Sequence, residues 1–178
     1  MSFACALILA AAGVPGGHVY IGGRISWIKP VGSGDALFYP LTDDVGFSFD
    51  LSLELRHAFF DIGFEHGGYE SKQPEFSFAS ARAGYAFGSG SIAPFIAAGG
   101  GAMSMTAWTS YDRGTPVHPT GAAFVGEAGL MFPRSARFGR ARLCLRLIEP
   151  LFDAYRPVTG GSISNPAHLL LFTVRVFL

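Results

Sequence analysis

Ser162, Ser164 and His168 lie close in the chain to Glu149 and Asp153. A serine, a histidine and a carboxylate can together attack an ester. The imidazole takes the hydroxyl proton and the acid orients the imidazole. The simpler account of the same residues is a polar loop that ends in a histidine at the rim of the fold. The other histidines, His18, His57, His66 and His118, are scattered. None forms a close ligand pair, so no metal site is expected. Gly99-Gly100-Gly101 is not followed by Lys-Ser/Thr or by a helical pattern, so it is no phosphate loop. Glycines there allow close packing or a bend in a strand. Cys144 alternates with arginines and reads as a small, unpaired residue. No cofactor and no catalytic residue is expected.

The charged residues are more informative as a set. Arg24, Asp50, Glu54, Arg56, Asp61, Glu65, Arg82, Glu127, Arg140, Arg142, Arg146 and Arg175 all sit in segments of alternating character. Alternation is the mark of a strand, because successive side chains face opposite sides. In 45–56 (VGFSFDLSLELR), Val45, Phe47, Phe49, Leu51, Leu53 and Leu55 share one face, and Asp50, Glu54 and Arg56 fall on the other. In 139–147, Ala141, Leu143, Leu145 and Leu147 oppose Arg140, Arg142, Cys144 and Arg146. In 168–178, Leu170, Phe172, Val174, Val176 and Leu178 oppose Thr173 and Arg175. Weaker alternation marks 19–29, 60–64 and 76–87, and two Gly/Ala-rich strands are expected at 92–105 and 120–132. The total is eight strands.

Composition narrows the class. The chain has 178 residues, with 13 basic and 13 acidic side chains. Zero net charge and no Lys/Arg run argue against a nucleic-acid partner. Two cysteines cannot build a disulfide scaffold or a cysteine-rich zinc module. Mean hydropathy is high, +0.34, yet beyond the N-terminus no membrane-spanning helix is expected. High hydropathy without such a helix, with 24 Gly and 17 Phe, points to β structure.

Residues 3–15 (FACALILAAAGVP) form an apolar run of signal-peptide length that ends in small residues. The expected division is a signal peptide at 1–17 and a barrel domain at 18–178. No Lys or Arg stands between Met1 and Phe3. The alternative for this run is a first strand or a buried helix.

The connections alternate in length. Short turns are expected at 57–58, 88–91 and 133–137, and long polar loops at 30–44, 66–75, 107–119 and 150–166. Short turns on one rim and long loops on the other are the pattern of outer-membrane barrels. A soluble eight-stranded barrel of the lipocalin kind would turn its apolar face inward instead. Three features favour the membrane. The strand charges collect opposite the apolar face, and both signs occur, so they can pair in a narrow lumen. Gly, Ser and Ala crowd the same face. Lysine is confined to Lys29 and Lys72. Trp27, Phe38, Tyr39, Tyr69, Trp108, Tyr111, Phe152 and Tyr155 are expected at strand ends or in loops, as an interfacial girdle would require.

Residues 92–101 (IAPFIAAGGG) resemble the Pro-aromatic, aliphatic, Gly/Ala-rich strand of small OmpA-like outer-membrane β-barrels of Gram-negative cells. The C-terminal strand is similar too, with apolar residues at every second position back from Leu178. The resemblance spans about Val19 to Leu178. It implies an all-β, eight-stranded, antiparallel up-and-down transmembrane barrel with short periplasmic turns and long extracellular loops. It implies outer-membrane location, contact with outer-membrane lipid and with the barrel-insertion machinery, a monomer, and a structural or surface-interaction role without catalysis. A ligand held by the extracellular loops is a further expectation. Such a barrel is filled by its own side chains, so the charged residues are expected to form an internal salt-bridge network. Three alternatives stay open. One is a soluble, lipocalin-like ligand-binding barrel. Another is a narrow, anion-preferring channel. The third is a lipid-modifying barrel enzyme like the lipid A deacylases, which carry a His-x-Ser pairing where this chain has His168-Leu169-Leu170.

Overall fold

A strand with one apolar face must bury that face or give it to lipid. In lipid, every backbone N–H and C=O must also find a partner within the protein, and an open sheet edge leaves them unpaired. The sheet here closes on itself. The computed structural model describes residues 17–31, 44–68, 75–88, 90–106, 118–132, 140–152, 154–155, 162–163 and 168–178. Eight long antiparallel strands form the barrel: β1 (Gly17–Val31), β2 (Asp44–Leu55), β3 (Ala58–Gly67), β4 (Glu75–Ala86), β5 (Ala93–Thr106), β6 (Thr120–Phe132), β7 (Arg140–Pro150) and β10 (His168–Phe177). β8 (Ala154–Tyr155) and β9 (Ser162–Ile163) pair as a separate two-stranded ribbon between β7 and β10. Each barrel strand pairs with its neighbour in sequence along the barrel wall, and β1 pairs with β10 to close the ring.

The closure is a full ladder. Gly22 faces Phe177 and Val31 faces His168. Ile21 and Leu178 extend it by exchanging both backbone hydrogen bonds, at 3.2 and 2.8 Å. The barrel strands run from ten to fifteen residues, and about ten tilted residues cross a bilayer. No helix occurs among the described residues.

Burial runs opposite to that of a water-soluble barrel. Trp27, Phe47, Phe49, Leu145 and Val176 are about half exposed, while Arg82, Arg142, Arg146 and Arg175 are almost fully buried. The exterior is therefore a continuous apolar band and the charge is inside. Packed into water, such an exterior would be a very large exposed apolar surface. In a bilayer it is what the surroundings require.

The lumen has three layers. Ile28, Phe76, Phe78, Met103, Met105, Val125, Ile148, Leu169 and Leu171 form an apolar layer toward the long-loop rim. Phe59, Ala86, Ala93, Phe95, Ala97, Met131 and Cys144 form a second one toward the short-turn rim. The charged side chains lie between. Some crossings have no room for a side chain. A Cβ on Gly101 would stand 1.8 Å from the carbonyl oxygen of Ala79, so β4 and β5 approach there because position 101 is glycine.

The expected strands match the observed ones to within a few residues. Two expectations need correction. Arg56 is not a lumen residue. It sits just past the end of β2, in the two-residue turn to β3, exposed and with φ of 54°. The left-handed turn breaks the alternation that would have carried its side chain inward. Phe152 does not belong to an outer girdle, because it packs against the apolar layer at the long-loop rim. Trp27 does face outward. Phe38, Tyr39, Tyr69, Trp108, Tyr111 and the signal-like residues 1–16 lie outside the described residues, and of Tyr155 only the backbone is described.

The exposed Val174 faces Ile25 and Leu143 on the neighbouring strands. Val174→Arg is expected to destabilise the folded barrel by about 2–4 kcal/mol, the cost of a cation facing lipid near mid-bilayer. Reversible urea unfolding in lipid vesicles measures it. An unchanged stability would mean that this face meets water.

Candidate functional site: the charged lumen and the long-loop rim

The middle layer is built by seven strands whose inward positions converge. Glu127 of β6 is its hub. Its Oε1 accepts hydrogen bonds from Nη1 of Arg82 and Nε of Arg146, both at 2.6 Å, and from Nη2 of Arg175 at 3.2 Å. Nη1 of Arg24 stands 3.7 Å away. Asp61 of β3 is the second centre. Its Oδ2 accepts from Arg142 and Arg175, each at 2.6 Å, and its Oδ1 accepts from Ser52 at 2.6 Å. Asp50 accepts from Arg82 at 2.6 Å. Glu65 accepts from Arg146 at 2.6 Å and from Ser26 at 2.9 Å.

The network thins toward the short-turn rim. Glu54 accepts from Arg142 at 2.9 Å and pairs with the less buried Arg140. There the guanidinium of Arg142 lies 4.0 Å from the ring centre of Phe59 and 4.7 Å from that of Phe177. Such stacking uses the flat faces of the ion while its two terminal nitrogens bond to Asp61, Ser52 and Glu54. Arg24 is held most loosely. Its Nε donates to Ser48 at 2.6 Å, and its terminal nitrogens lie 3.5–3.7 Å from Asp50, Glu65 and Glu127.

Six arginines thus meet five carboxylates, and every one of those arginines has at least one carboxylate within 4 Å. Gly63 makes room for part of this. A Cβ there would stand 2.1 Å from Oδ1 of Asp50, in the path of its bond to Arg82. Eleven of the charged residues singled out from the sequence meet in this network, and Arg56 lies in the exposed turn after β2. The two apolar layers that cap it were not singled out, although Phe76 and Phe78 keep the same alternation as Ser80 and Arg82.

A separate polar group lies on the outside of the barrel. His168 opens β10, and Glu149 is the next-to-last residue of β7. The register sets them side by side. Nδ1 of His168 contacts Oε2 of Glu149, and both side chains are partly exposed. An open pit of about 250 Å³ lies there, lined by Leu147, Glu149, His168 and Leu170. Of the triad considered from the sequence, the structure brings together the histidine and one acid. Asp153 and Ser164 lie outside the described residues, and of Ser162 only the backbone is described. The histidines at the other loop bases bond locally, His66 to Ser77 at 3.0 Å and His118 to Thr106 at 3.1 Å. No group of three metal-binding side chains occurs among the described residues. Cys144 is buried beside Gly129.

The fold defines a class: an eight-stranded barrel of the outer-membrane type, with apolar exterior and charged interior. Solved structures agree. The chain is similar to Neisserial surface protein A (NspA), with TM-score 0.67 and 10% identity over 92% of this chain and 99% of that one. It is also similar to the outer-membrane enzyme PagL, with TM-score 0.52 and 13% identity over 89% and 98%. The N-terminal barrel domain of Pseudomonas aeruginosa OprF matches at TM-score 0.49 and 12% identity over 88% and 95%. At these identities the likeness is one of fold. No family model matches the sequence, and no curated protein matches it significantly.

Glu127→Gln keeps the shape of the hub and removes its charge. Four arginines then lose a shared counter-ion. The expected loss is about 3–5 kcal/mol, as for breaking a buried ion pair, read as a lower urea midpoint in vesicles and a lower temperature for the heat-dependent shift in gel mobility. A loss below about 1 kcal/mol would mean that water reaches these groups.

Proposed function

We propose that this chain is a non-enzymatic, monomeric outer-membrane barrel with a structural or surface-interaction role. The observation that carries this reading is the filled lumen. Apolar layers of Phe and Met side chains close both sides of a charge layer whose ions are paired. An interior filled by its own side chains supports a barrel without a solute path. Interaction is then left to the exterior and to the long connections. Loops carry function on scaffolds of this kind. Outer-membrane lipid and the barrel-insertion machinery are the partners this reading requires.

A second reading, a lipid-modifying barrel enzyme, is favoured by one observation. The Glu149–His168 pair faces outward at the long-loop rim, where an imidazole oriented by a carboxylate would meet lipid esters. One preparation tests both readings. Purified barrel, folded in vesicles, is expected to show no steady current in planar bilayers and no fatty-acid release from added glycolipid or phospholipid. A steady anion-selective current would replace the first reading with a channel. Ester release that disappears in His168→Asn would replace it with the enzyme.

A further inference from the structure

The outward faces of β1, β10 and β7 form three rows stacked from the long-loop rim into the membrane. In the first row His168 stands beside Glu149. In the second, Lys29, Leu170 and Leu147 stand side by side. In the third come Trp27, Phe172 and Leu145, with the two rings 6.2 Å apart. Lys29 is diagonal to His168 across the β1–β10 ladder, because Val31 faces His168 and Lys29 faces Leu170. A lysine side chain reaches such a diagonal neighbour. The pit between Leu147 and Leu170 lies directly below the charged pair. On β6, Gly126 faces Leu147 and has no side chain to fill the space beside it.

The gradient is amphipathic: ions at the rim, aliphatic side chains next, aromatic rings deepest. Lys29 is the one lysine among the described residues, and it is exposed on a lipid-facing strand. An ammonium there needs an anion or water. Glu149 is already engaged by Nδ1 of His168. That contact fixes the ring and turns Nε2 away from the carboxylate, toward the outside.

We propose that Lys29, His168 and Glu149, with the pit below them, form a binding site for a membrane lipid whose headgroup ends in a phosphate monoester. The Lys29 ammonium donates to the phosphate oxygens in a charge-assisted bond. Nε2 of His168 shares one proton with a third oxygen, and the bond forms whichever of the two holds the proton. Glu149 does not touch the phosphate. It positions the imidazole. One acyl chain fills the pit along Leu147 and Leu170 and runs past the Trp27–Phe172 pair. The site faces the bilayer, so a lipid reaches it without crossing water.

Trp27 reports on this place. In a Trp108→Phe background it is the one tryptophan left in the chain. The folded barrel is placed in phosphatidylcholine vesicles with a minor fraction of brominated lipid, and quenching is recorded. Brominated phosphatidic acid is expected to quench Trp27 with about tenfold preference over brominated phosphatidylcholine. Lys29→Gln with His168→Gln is expected to remove that preference while keeping the heat-dependent gel shift of a folded barrel. Glu149→Gln frees the ring and is expected to reduce the preference in part. Added inorganic phosphate is expected to leave the quenching unchanged. Equal quenching by the two lipids overturns the proposal. So does a preference that survives the double variant, or one that a phosphodiester lipid such as phosphatidylglycerol matches. Full displacement by inorganic phosphate would make this a site for the free anion and overturn the lipid assignment.

Discussion

A charge in the middle of a bilayer must find its counter-charge inside the protein. That constraint organises the molecule. Five carboxylates and six arginines are drawn from β1, β2, β3, β4, β6, β7 and β10, so their pairing ties most of the wall together across its interior. The ladder hydrogen bonds close the ring, and the lumen network fixes which strand faces which. The apolar layers on either side keep water from competing for the ions. They also fill the lumen on both sides of the ions.

Much of this was legible in the sequence because a strand repeats every two residues. One arginine on the polar face of 139–147 places the next two. The segment 120–132 was found to the residue, since polar Glu127 and apolar Phe124, Ala128 and Leu130 fall on opposite faces. What could not be read has physical reasons. Inward positions are not all polar. On β4 the inner face passes from Phe76 and Phe78 to Ser80 and Arg82, so a face defined by charge misses its apolar ends. Arg56 kept the alternation in sequence and lost it in space, because a left-handed residue in a tight turn reverses the chain. Pairing partners lie up to 114 residues apart, as Arg175 and Asp61 do, and only the closed register brings them together.

The exterior divides in character. Over β4, β5 and β6 it holds a smooth patch of Ala81, Ala83, Ala98, Gly100, Ala102 and Ala128, flanked by the exposed Tyr85, Ile96, Phe124 and Leu130. Over β1, β10 and β7 it is bulky and ends in ions at the long-loop rim. Recognition from outside the barrel would use this surface and the long connections. Similarity to NspA and to PagL is one of wall architecture.

The barrel stands on lumen ions that are paired away from water. A double-mutant cycle on Glu65 and Arg146, bonded at 2.6 Å, tests this pairing most directly. Glu65→Gln, Arg146→Met and the double variant are unfolded reversibly by urea in lipid vesicles. Ions paired away from water give a coupling of about 2 kcal/mol or more, with the double variant clearly more stable than the sum of the single losses implies. A coupling below about 1 kcal/mol, the range of solvent-exposed pairs, would contradict it and place water in the lumen.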